Sequence, residues 1–138
     1  MIRIMTGVAS LAVAGWMAVV PAPAKADAFG IERWGGFEFK GINWPEGVLY
    51  HRIVGQGYHV YTDQGSFASV GNLCDAGFVF TYGNGAHRSR SAILSGCTHA
   101  GNWEYTPNKD MPRGDACVEL WIKNWSRLVA RQCHYISP

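Results

Sequence analysis

Four cysteines, Cys74, Cys97, Cys117 and Cys133, are the side chains whose spacing says most about the chemistry open to this chain. They stand 23, 20 and 16 residues apart, whereas a structural zinc site draws its ligands from close pairs such as C-x-x-C. The spacing favours disulfides over metal, and an even count in a short exported chain is the arithmetic of two bridges. Oxidised thiols cannot serve as nucleophiles, so cysteine catalysis is not expected. The five histidines, His51, His59, His87, His99 and His134, show neither H-E-x-x-H nor any other ligand spacing. A hairpin turning at Gly55-Gln56-Gly57 would set His51 across from His59, as a solvated surface pair without carboxylate support for a metal. No metal and no cofactor are therefore expected.

Aromatic side chains are the other resource. Trp34, Trp44, Trp103, Trp121 and Trp125 are accompanied by six tyrosines, more than one small core can enclose. Trp103 with Tyr105, and Trp125, fall in segments read as loops. Exposed rings stack on sugars or anchor partner proteins, so these three are the candidate binding residues, for a protein or a carbohydrate.

The first residues read as an export signal. Arg3 supplies the positive end, Val8 to Val20 is an apolar run of 13 residues, and Ala24-Lys25-Ala26 fits the small-x-small cleavage rule. That run falls short of the ~20 residues needed to span a bilayer. Cleavage after Ala26 leaves a chain of 112 residues, Asp27 to Pro138, the size of one domain. Removing Arg3 and Lys25 from the 12 basic residues leaves 10 against 10 acidic ones, so the mature chain carries no formal net charge. Without a basic surplus or cluster it lacks the electrostatic footprint of a nucleic-acid binder, or of a protein held to anionic lipid. The expectation is a secreted, extracellular, bacterial protein, monomeric and free of the membrane once the signal is removed.

The elements that must position these residues are strands. Short runs rich in Val, Ile, Phe, Tyr and Trp alternate with Gly, Asn, Asp and Pro, and helix signals are weak. Strands are predicted at about 37–40, 48–54, 58–62, 67–70, 77–82, 91–95, 118–123 and 128–136. The last two form a hairpin in which paired residue numbers sum to 250. Cys117 then faces Cys133, Glu119 faces Arg131 and Trp121 faces Val129, while Val118, Leu120, Ile122, Leu128 and Ala130 share the core side. The turn falls on Asn124-Trp125-Ser126, which lacks the glycine such loops prefer, so a bulge or slipped register is open. A second hairpin between Cys74 and Cys97, turning at Gly83-Asn84-Gly85, would set Phe78 against Ile93; apolar groups on both its faces mark a central ribbon. Four cysteines allow three pairings, and these registers favour the local one. The fold class is all-β, mainly antiparallel: a small disulfide-stapled sandwich or barrel of one domain.

The run Cys74-Asp75-Ala76-Gly77-Phe78-Val79, followed by Ile93-Leu94-Ser95-Gly96-Cys97-Thr98-His99, resembles the first disulfide hairpin of bacterial streptogrisin-type chymotrypsin-like proteases. There, C-x-x-G-F is answered by T-A-G-H-C. The resemblance covers about residues 74 to 103 and implies a hairpin bridged Cys74 to Cys97 in a secreted β domain. It does not imply the activity. The family's general base immediately precedes the second cysteine, where this chain has Gly96, and His99 lies beyond the bridge. Gly114-Asp115 leads into Ala116-Cys117 where the family has Ser-Gly-Gly, and the chain is short of the two barrels that assemble a triad. Arg113-Gly114-Asp115 reads as a turn entering the Cys117 strand. The expected function is a non-catalytic extracellular binding or interaction module, with a toxin-like or inhibitor-like role included. The alternative is a small secreted hydrolase distantly related to those proteases.

Overall fold

The computed structural model describes residues 27–137, so the export signal expected over residues 1–26 lies outside the described residues. These residues form ten strands and no helix: β1 (Ala28–Trp34), β2 (Phe37–Phe39), β3 (Ile42–Trp44), β4 (Gly47–Gln56), β5 (His59–Tyr82), β6 (His87–Arg90), β7 (Leu94–Tyr105), β8 (Lys109–Asp110), β9 (Gly114–Ile122) and β10 (Arg127–Ile136). All pairings are antiparallel, and the main sheet runs β1-β4-β5-β9-β10.

The 24-residue strand β5 organises the whole. Its first part pairs with β4, β7 and β8, its last part with β6 and β9, so it belongs to two sheets. Register shifts between Ala68 and Leu73 and between Cys74 and Ala76 bend it, as bulges do. The two sheets close on one another with Leu49, Ile53 and Phe67 from the first against Phe78, Phe80, Val118, Leu120 and Ile122 from the second. The outermost strands, β1 and β10, come together at a seam where Gln132 and His134 press on Gly30. The result is the expected all-β domain, a nearly closed, barrel-like antiparallel sheet.

Three strands read separately from the sequence, at 58–62, 67–70 and 77–82, are thus one. Gly65 interrupts the apolar pattern without breaking the strand. A Cβ there would lie 2.7 Å from Val118 Cγ2 and 2.9 Å from Phe78 Cδ1, so glycine is what lets the second sheet approach.

Both bridges join directly opposed residues, Cys74 to Cys97 and Cys117 to Cys133, as the local registers favoured. Two details differ. In the C-terminal hairpin the sum of 250 holds from Gly114↔Ile136 to Leu120↔Ala130, then slips at Val129 so that Trp121 faces Leu128. This bulge turns Val129, not Leu128, against the core. The turn itself has four residues, Lys123 to Ser126, with left-handed φ of 53°, 57° and 68° at Lys123, Asn124 and Trp125. Non-glycine residues there cost free energy; hydrogen bonds from Lys123 N to Cys74 O (2.9 Å) and Asn124 N to Asp75 O (3.1 Å) hold the turn against β5. In the other hairpin Phe78 exchanges backbone contact with Ser91 instead of Ile93: Ser91 N donates to Phe78 O at 2.8 Å, and Ser91 Oγ accepts from Phe78 N at 2.9 Å. Residues 91–93 therefore form a break between β6 and β7 where a strand was expected.

At one end of the barrel the β2–β3 hairpin folds over the core, with Trp44 buried and its Nε1 donating to Phe39 O. No helix among the described residues is long and apolar enough to cross a membrane.

Candidate functional site

Residues with catalytic chemistry do meet, but inside the barrel. Alternation on β4 turns His51 inward, opposite Gly30 on β1 and Gly65 on β5, and two glycine neighbours leave room for the ring. His51 Nε2 lies 2.7 Å from Asp63 Oδ1, and Nδ1 lies 2.8 Å from Gln132 Oε1. Both ring nitrogens are thus engaged with side-chain oxygens of neighbouring strands. Tyr82 donates its hydroxyl to Asp63 Oδ2. Burial first, and then the Asp63 charge, push the Tyr82 hydroxyl far above the ordinary phenol range, so it remains a donor.

A histidine held by a carboxylate supplies two members of a triad, yet His51 and Asp63 are both 0 % exposed, and among the described residues no serine, threonine or cysteine side chain hydrogen-bonds to them. A general base needs to reach a substrate proton, and this one faces only the protein. The pair is a buried polar brace linking β4, β5 and β10. The sequence reading paired His51 with His59 on the surface; the actual turn lies two residues further on, setting His59 against Gln56. His59 lies near the surface instead, bonded to Asp110 and Asn108.

His134 on β10 packs its ring 5.2 Å from that of His51 across the seam. Burial, followed by repulsion from His51, holds it below the ordinary histidine range, while Asp63 opposes the shift. Its folded form therefore binds a proton less readily than its unfolded form. The associated stability is complete above the unfolded value of 6.5 and is lost as pH falls through the lower folded value. Partly exposed His59 works in the opposite sense, since its hydrogen bonds raise it and its contribution fades as pH rises. We expect the melting temperature to drop between pH 7.5 and pH 5, and the drop to shrink in His134→Phe. An identical pH profile in that variant would contradict the assignment.

The three aromatic candidates are placed differently from one another. Trp103 and Tyr105 lie on β7 rather than on a loop, opposite Gly65 and Asp63, and pack against the core; Tyr105 stands 5.6 Å from Phe80. Trp125 lies at the β9–β10 turn, where its ring covers Gly77 and meets the Arg90 guanidinium at 4.6 Å. The fold brings Trp103 and Tyr105 onto one face and leaves Trp125 apart. His99 is exposed, and of its atoms the backbone oxygen accepts a long bond from Ser69. Arg113-Gly114-Asp115 enters β9, with Gly114 buried against Asn84.

The fold also exposes an apolar surface on β1 and β4 that the sequence does not announce. Because His51 and Gly30 point inward, their neighbours Tyr50, Phe29 and Ile31 point outward. Phe29 is 58 % and Ile31 45 % exposed, and the Phe29 ring stacks on Tyr50 at 6.4 Å. The same outer face continues through Val48 and Ala68 into an open cleft of about 580 Å³, walled by Trp34, Arg33, Glu46 and Val70. Val70 is 77 % exposed. Arg33 and Arg52 edge the apolar stripe. The signal was present in the alternation Phe29, Ile31, Arg33, but with the apolar residues on the solvent side it reads as no amphipathic strand. No protein-family model, curated protein or solved structure matches the chain.

Proposed function

We propose that this is an exported bacterial protein that acts outside the cell as a non-catalytic binding module, engaging a protein partner through the outer face of β1 and β4. The observation that carries this reading is the side-by-side exposure of Phe29 and Ile31, 58 % and 45 %, on a face that solvent would otherwise keep polar. The neighbouring cleft offers an apolar floor for an anchoring side chain. Aliphatic Ile31, Val48 and Val70 with an arginine edge suit a protein surface better than a sugar, which stacks on flat rings and hydrogen-bonds to planar polar groups. The sealed environment of His51 argues against the hydrolase alternative. The two disulfides accord with an oxidising compartment.

Photocrosslinking tests this. A benzophenone side chain at position 31 should give a discrete protein adduct in cultures of the producing cells, and one at exposed Glu38 should give none. Adducts of equal yield from both positions, or an adduct with polysaccharide, would refute the assignment.

A further inference from the structure

The second sheet carries a separate feature on its own outer face. Glu119 on β9 faces away from the core and is nevertheless almost fully buried, its side chain 3 % exposed. Oε1 accepts from Trp121 Nε1 at 2.9 Å, and Oε2 accepts from Arg131 Nε at 3.0 Å and Nη2 at 2.6 Å. Arg88 on β6 reaches the same carboxylate from the other side at 3.6 Å. Both arginine side chains remain about half exposed, 48 % and 52 %, at a groove of about 300 Å³. A guanidinium has five N–H donors, and Glu119 occupies only the inner ones. One buried carboxylate thus orients two arginines toward one space and neutralises only one of them.

The far end of the groove has different chemistry. Asn84 accepts the Asp115 backbone N–H through Oδ1 at 2.8 Å, so its amide NH2 has no protein acceptor among the described residues. The exposed Asp115 carboxylate also lacks an ion-pair partner among them. A ligand that fills the groove must meet two forked cations at one end, and a hydroxyl-accepting carboxylate with an amide donor at the other. A free oxyanion satisfies the first end only and leaves Asp115 and Asn84 without partners.

We propose that this groove binds a single acidic sugar unit, its carboxylate, sulfate or phosphate held by Arg88 and Arg131 and its hydroxyls by Asp115 and Asn84. The forked geometry of arginine matches planar and tetrahedral oxyanions, and the volume lies at the small end of ligand pockets, enough for one ring. Glu119 acts as a positioning residue. The site is independent of the protein-binding face proposed above, lying on the other sheet.

The test is a titration of the 15N-labelled, disulfide-bonded mature protein with glucuronate, glucosamine 6-sulfate and glucose 6-phosphate, against glucose and inorganic phosphate. At least one acidic sugar is expected to give saturable amide shifts at Thr81, Arg88 and Arg131, with glucose silent and inorganic phosphate at least tenfold weaker. Arg88 is half exposed, so Arg88→Gln should fold and weaken that binding at least tenfold, with Arg88→Lys in between. Absence of saturable shifts with all three sugars, unchanged binding in Arg88→Gln, or inorganic phosphate binding as tightly as the sugars would overturn the proposal.

Discussion

Replacing Asp63 by Ala should destabilise the protein by about 3–5 kcal/mol, because it strips both His51 and Tyr82 of a hydrogen-bond partner in a site closed to solvent. His51 would keep Gln132 on one nitrogen and lose the Asp63 carboxylate on the other, at 0 % exposure. Tyr82→Phe should be milder, about 1–3 kcal/mol, because it leaves one Asp63 oxygen without its donor while His51 stays in place. Denaturant melts of the two variants and the parent decide this. An Asp63→Ala variant within 1 kcal/mol of the parent would mean that the interior pair is not a structural brace, and would reopen the question of what it does.

Removal of the Cys117–Cys133 bridge by double serine substitution should cost about 2–5 kcal/mol, and about 3 kcal/mol on loop closure alone for a loop of this size. The hairpin should still form, since its ladder from Gly114 to Ile136 and the buried Val118, Leu120 and Ile122 remain. The melting temperature should therefore fall while the far-ultraviolet spectrum is kept. Loss of all folded signal at room temperature would show instead that the bridge is needed to reach the native state at all.

What the sequence disclosed depended on whether apolar residues faced the core. In β9 and β10 they do, and pairing, disulfide and the Glu119–Arg131 contact were all readable from one register, up to the bulge at Val129. In β1 they do not. Of its inward positions, Ala28, Gly30, Glu32 and Trp34, the first three offer no bulky apolar side chain, and Gly30 is small because Gln132 and His134 come across the seam to fill the space. Such a strand has no periodic signature, and the exposed face it carries was lost with it. The interior polar cluster was equally hidden. His51, Asp63, Tyr82 and Gln132 are spread over 82 residues of chain and meet only because β5 serves both sheets. Trp125 falls at a turn in the sequence, yet Gly77 leaves a socket beneath its ring, a contact that turn chemistry does not announce.

The binding role of the β1–β4 face is tested most directly by the affinity of the crosslinked partner, once isolated, for a Phe29→Ser, Ile31→Ser double variant. Both side chains are largely exposed, so the variant should melt with the parent within about 0.5 kcal/mol. Its affinity should fall at least a hundredfold, since two apolar contacts at the centre of the stripe are removed. Unchanged affinity in a normally folded double variant would contradict the assignment of this face as the binding surface.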